Sequence, residues 1–130
     1  MVVPTLNSKI TSRVITSIDR YLREKGYTTL IQNSDHNIDQ ELQNIQRLIQ
    51  LNVDGILISS IAIIKDHKEL LKKAGIPVVV LTQDYEDGIS IIYDDYHAGK
   101  AMGEHIGKKG HQKVGYIGVY ETDKAVGTER

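Results

Sequence analysis

Two hydrophobic rhythms alternate along the chain. Short apolar runs occur at residues 1–4, 27–31, 55–58, 78–81 and 89–93. Between them apolar residues recur every three or four positions: Ile10, Val14, Ile15, Ile18, Tyr21 and Leu22; Ile38, Leu42, Ile45, Leu48 and Ile49; a stretch over 66–74; and Ala98, Ala101, Met102, His105 and Ile106. The short runs predict buried strands and the spaced ones predict helices with one buried stripe, on which His105 is expected to pack. Helix stops agree with this division, with Gly26 after Lys25, Asn52 after the second helix, Gly75 after Lys72 and Lys73, and Gly110 after Lys108 and Lys109. Pro77 stands where a strand begins, Asp94 or Asp95 is placed to cap the fourth helix, and 84–88 reads as a turn. Residues 61–64 either extend the third strand or form an apolar loop, and the loop is favoured.

Strands alternating with helices over residues 1–109 predict an α/β chain with a doubly wound parallel sheet, a three-layer sandwich of the Rossmann or flavodoxin type. The organising stretch is 52–60, Asn52 to Ser60, read as a third strand lying beside the first. Successive crossovers diverge there, and ligands of open α/β sheets bind outside the carboxyl ends of the strands at such a point. Residues 113–118 are expected to form a sixth strand and 121–130 to begin a further helix. Apolar edge would be left exposed by so short a continuation, so this tail is expected to belong to a second lobe or to pair with another chain.

Composition narrows the function. The chain has 130 residues, 40% hydrophobic and 25% charged, which is ordinary for a globular domain with its own core. A formal net charge of −1 gives no electrostatic footprint for nucleic acid or an anionic membrane. Without cysteine, thiolate metal sites and cysteine nucleophiles are excluded. No apolar stretch approaches the ~20 residues of a membrane span, and no basic segment followed by an apolar one opens the chain. Because the chain starts inside a predicted strand, it reads as a fragment or as cut close to a domain boundary.

Candidate chemistry is then sought in the loops. No G-x-G-x-x-G or G-x-x-x-x-G-K-[ST] follows any strand, which argues against nucleotide cofactors, and no cofactor is expected. The five histidines, His36, His67, His97, His105 and His111, lack metal-ligand spacing, so no metal is expected. The acidic pair Asp94 and Asp95 follows the fifth strand rather than the first, and the third strand ends in Ser59 rather than an aspartate, so a receiver-type phosphoacceptor site is excluded by position. No Gly-x-Ser-x-Gly elbow presents a nucleophile, and no catalytic residue is expected. What remains is a ring of short polar groups at strand carboxyl ends: Asn7 and Thr11, Ser34 and Asp35, Ser59 and Ser60, Thr82 and Gln83, Asp94 and Asp95, with His97 one turn into the fourth helix. Hydroxyls and amides with an occasional carboxylate suit a sugar, whose hydroxyls both donate and accept; polar loops at strand ends also occur in any α/β sheet.

Seven stretches in order carry a family resemblance: Pro4 to Ser8, Gly26 with Tyr27, Asn33 to Asp35, Asn52 to Leu57, Lys72 to Val79, Tyr93 to Tyr96 with Gly99, and Gly110 to Val114 with Ile117 and Gly118. Together they resemble the effector-binding region of LacI/GalR-type bacterial transcriptional repressors, with Tyr93 to Tyr96 and Glu121 to Gly127 most like the trehalose and sucrose repressors. The resemblance implies a type I periplasmic-binding-protein-like lobe over residues 1–109 and, from 110 to 130, the truncated opening of a C-terminal lobe. It further implies a small sugar or sugar phosphate effector between lobes, operator DNA contacted through a helix-turn-helix headpiece not in this chain, a homodimer through helix one and neighbouring strands, a cytoplasmic location, no membrane and no enzymatic activity. By position the effector contacts would be Asn7, Ile10, Thr11, Ser34, Asp35, Ser59, Asp94, Asp95 and His97. Lys9, Ile10 with Thr11, and His97 depart from the family's usual proline, aromatic pair and acid, which bears on which effector is bound. Two other readings use the same fold: a lobe of a periplasmic or secreted sugar-transport receptor, marked by a signal peptide, and a stand-alone flavodoxin-like enzyme, marked by flavin absorbance.

Overall fold

A computed structural model describes residues 1–117. Five strands and four helices follow in the order β1 (Val2–Val3), α1 (Lys9–Glu24), β2 (Gln32–Asn33), α2 (Ile38–Gln50), β3 (Ile56–Ser59), α3 (Lys65–Ala74), β4 (Val78–Leu81), β5 (Ile89–Ile91) and α4 (Asp95–Lys108), alternating except that β4 leads to β5 without a helix. The sheet order is β2-β1-β3-β4-β5 and every pairing is parallel. The chain moves one way from β1 to β2, then returns past β1 to β3, so the crossover reverses between β1 and β3 as the sequence implied.

Alternation along the strands divides the core. Val2, Ile56, Ile58 and Val80 face one way and pack with Ile45 and Leu48 of α2, Leu71 of α3 and Tyr85. Met1 and Val3 pack on the other face with Ile15 of α1, supported by Ile18 and Leu57. Central strands buried on both faces have no polar alternation to display, which is why they appear in the sequence as continuous apolar runs.

Helix boundaries follow their local chemistry. Ser8 and Asn37 adopt extended backbone and accept from the N–H groups of Thr11 and Gln40, supplying donors of the first turn with partners. Asn52 and Gly75 take positive φ, 52° and 64°, and turn the chain out of α2 and α3. Residues 61–64 form a loop, as favoured from the sequence.

Several expectations need correcting. The β-branched run at 27–31 is not the second strand; β2 is Gln32–Asn33, because the parallel register sets Gln32 against Val2 and Asn33 against Val3, through Gln32 N–H to Met1 C=O at 2.8 Å and Ser34 N–H to Val3 C=O at 2.9 Å. The fifth strand stops at Ile91, and Tyr93 lies beyond it. Residues 113–117 form no strand, since none among the described residues lies beside them to pair with; Gly118 and the helix expected over 121–130 lie outside the described residues. His105 does not pack: α4 buries none of its residues against the described part of the chain.

Candidate functional site

Parallel pairing puts the carboxyl ends of all five strands on one edge, and the loops leaving them form a rim. At the usual ~4.8 Å between strands, the rim runs roughly 19 Å from β2 to β5. The helices that follow β1, β2, β3 and β5 start from this edge, so their first-turn N–H groups gather there.

Local hydrogen bonds shape each loop. In the β1 loop Thr5 Oγ1 accepts from Asn7 N–H at 3.1 Å before Ser8 caps α1. After β2, Asp35 and His36 both take positive φ, and His36 N–H donates to Pro4 C=O at 2.9 Å, tying the β2 and β1 loops together. Ser60 Oγ donates to Ala62 C=O at 2.9 Å and folds the β3 loop back on itself. Thr82, a β-branched residue at φ 70°, turns the chain out of β4 while its N–H donates to Ile91 C=O at 2.8 Å. After β5, Asp94 caps α4: its Oδ1 accepts from His97 N–H at 3.2 Å, and both carboxylate oxygens lie 2.8 Å from His97 Nδ1. These bonds hold the Asp94 carboxyl below the usual carboxylate range, the side-chain bond to His97 contributing most and the backbone bond next. Tyr96 meets the His97 ring edge-on, with centroids 5.5 Å apart.

The residues expected to bind an effector divide by exposure. Asn7, Ile10, Asp35, Asp94 and His97 are exposed, and Thr11, Ser59 and Asp95 are half-buried. Ser34 is fully enclosed, with Oγ 3.2 Å from Val3 C=O and 3.4 Å from Glu41 Oε2, so its single proton serves partners inside the protein. Ser60 and Gln83, also in the polar ring, are buried as well; Gln83 Nε2 donates to Ile61 C=O at 2.9 Å. The ring is therefore two layers, an outer one open to a ligand and an inner one that supports it.

Sequence reasoning missed the inner layer's principal members. Glu41 and His67 are buried and joined at 2.9 Å, and Asn44 donates to Asn33 C=O at 3.0 Å. The signal was present in the spacing: Glu41 lies three residues after Ile38 and four before Ile45, and His67 three and four before Leu70 and Leu71, so each occupies an apolar position of its helix. Polar groups placed there must find internal partners.

No three histidine or acidic side chains converge on a metal-sized space among the described residues. No helix among them is long and apolar enough to cross a membrane. An open hollow of about 510 Å³ along α1, lined by Thr16, Asp19, Arg20, Arg23 and Glu24, lies on the helix flank away from the rim. What the rim offers is polar, neutral to weakly acidic hydrogen bonding from well-capped loops.

The fold and site together describe a parallel α/β lobe whose strand carboxyl ends form one polar rim. The chain belongs to the periplasmic binding protein domain family, whose sequence model it matches over residues 1–128. It is 30% identical to the sucrose operon repressor of Staphylococcus xylosus over 129 residues, which are 99% of this chain and 40% of that protein. Among solved structures it is similar to a periplasmic binding protein/LacI transcriptional regulator from Alkaliphilus metalliredigens complexed with D-xylulofuranose, at 26% identity and TM-score 0.80 over 96% of this chain and 46% of that one. The trehalose repressor of Escherichia coli shares the fold, with TM-score 0.85 at 23% identity over 99% of this chain and 50% of that one. The resemblance to LacI/GalR-type regulators and the type I periplasmic-binding-protein-like fold read from the sequence are borne out. The chain spans about 40% of the length of that curated relative.

Proposed function

We propose that this chain is one lobe of the sugar-sensing core of a LacI/GalR-type transcriptional regulator. A small sugar or sugar phosphate is held between its rim and a second lobe that opens with residues 110–130. The observation that carries this reading is the rim itself: five parallel strand ends on one edge, with Asn7, Asp35, Asp94 and His97 exposed and Ser59 half-buried, in a chain similar over nearly its whole length to a sucrose operon repressor.

The lobe binds and does not catalyse. Among the described residues His97 is engaged by Asp94, and His67 by Glu41 and backbone, and no serine hydroxyl is a partner of either ring. Closure of two lobes on a sugar biases the protein toward one of two arrangements, and the coupling to operator DNA is bounded by the sugar's differential affinity for them. DNA is contacted through a headpiece outside these 130 residues, in a cytoplasmic homodimer whose symmetry matches a palindromic operator. Exposed Val14 and Tyr21 on α1 supply an apolar surface suited to that pairing.

The test is calorimetric titration of the full two-lobed protein with sucrose, trehalose and fructose 1-phosphate. Saturable binding of one of them, weakened at least tenfold by Asn7→Ala or Ser59→Ala, is the expected result. Absence of binding to any sugar, or binding untouched by both substitutions, would contradict the proposal.

A further inference from the structure

Beneath the rim, out of reach of any effector, a buried polar pair joins two of its loops. Glu41 on the first turn of α2 and His67 on the first turn of α3 are 1% and 0% exposed. His67 Nδ1 accepts from the backbone N–H of Ile64 at 3.3 Å, and a ring nitrogen that accepts carries no proton. The proton therefore sits on Nε2, which donates to Glu41 Oε1 at 2.9 Å. The other carboxylate oxygen of Glu41 lies 3.4 Å from the hydroxyl of Ser34, next to Asp35 on the β2 loop. A continuous set of contacts thus runs from the β2 loop through α2 to the backbone where the β3 loop enters α3. Gln83 holds that same β3 loop from its other side, through Ile61 C=O. A buried pair of this kind gives weak stabilisation compared with apolar residues of similar size, yet losing one partner is strongly destabilising because the other is left buried and unpaired. Such a group contributes geometry more than net stability.

We propose that Glu41 and His67 are positioning residues that fix the β2 loop, residues 34–37, relative to the β3 loop, residues 59–64, so that the groups these loops offer move as one body. The consequence for effector binding rests on the function proposed above; the coupling does not.

The coupling is tested on the full two-lobed protein, free of sugar, by amide hydrogen exchange and imidazole nitrogen NMR. His67→Asn keeps an oxygen able to accept from Ile64 N–H but is too short to reach Glu41. It is expected to speed exchange of the Ser34, His36 and Asn37 amides at least tenfold while leaving the Ile56 amide, bonded to Pro77 C=O, and the Thr82 amide unchanged. His67→Gln, which can still donate to Glu41, is expected to restore slow exchange at residues 34–37. Uniform acceleration across the chain, or no change at residues 34–37, would overturn the proposal. A measurement without substitution guards against a variant that fails to fold: the His67 ring must appear as the Nε2–H tautomer, and an Nδ1–H tautomer would overturn it equally. No ligand enters the experiment, so its failure is separate from failure of the sugar-binding reading.

Discussion

Asp94 joins structure and chemistry at one residue. Its carboxylate accepts from the backbone and ring of His97, and those bonds depress its proton affinity below that of an ordinary carboxylate. A depressed folded-state value means that the interaction contributes fully above the unfolded-state value and is lost as pH falls through the folded one. An NMR titration of the Asp94 carboxyl is expected to show a midpoint below the normal aspartate range, and His97→Ala is expected to move it back toward that range; a midpoint unmoved by the substitution would refute the assignment. The cap was legible in the sequence as one of two adjacent acids ahead of a helical pattern, and the structure selects Asp94. The inward turn of Ser34 was not legible. A serine at a strand end looks the same whether its hydroxyl faces solvent or a buried carboxylate seven residues on, and only the three-dimensional placement of Glu41 separates the two.

At the level of elements, sequence patterns succeeded where a segment's own residues decide its structure. The four helices are marked by apolar spacing and by their stops, and α3 illustrates the point. Gly75 ends it at φ 64° with nothing within 4 Å of where a Cβ would lie, so the glycine is required by backbone conformation and not by space. Gly75→Ala is therefore expected to cost about 1–2 kcal/mol in urea denaturation, the usual penalty for an L-residue held left-handed. Leu48, 1% exposed on α2 against the central strands, is expected to cost about 2–5 kcal/mol when cut to alanine, with an unchanged denaturant slope. The sequence misled where a neighbour decides. Residues 27–31 have strand-like composition, but the register with β1 falls on Gln32 and Asn33, unremarkable in propensity, with Leu30 C=O reached only by the Met1 amino group.

Across the whole molecule, burial is uneven in a way that bears on assembly. The face covered by α2 and α3 is well packed, while the α1 side and the β5 edge leave Ile10, Tyr21, Ile89, Ile91, Ile92 and Met102 exposed. Apolar surface on this scale marks contact with further protein, in the same chain or another, and we propose that the α1 part serves a homodimer. Sedimentation of the full-length protein is expected to show a dimer that Tyr21→Glu weakens; an unaltered dimer would move the interface elsewhere. The doubly wound topology was readable because strand runs and helix stripes alternate from residue 1 to 109, with one break where β4 leads straight to β5. The inner polar layer was hidden because its bonds join residues far apart in the chain, 26 positions between Glu41 and His67. The central claim is that the carboxyl-end rim of this parallel sheet is one wall of a sugar-binding cleft, and the most direct measurement is a crystal structure of the full two-lobed protein with whichever of sucrose, trehalose or fructose 1-phosphate it binds. The sugar is expected between the lobes, touching the outer rim residues Asn7, Asp35, Ser59 and Asp94; a sugar seated at the amino ends of the strands or on a helix-covered face would contradict a rim-bound effector.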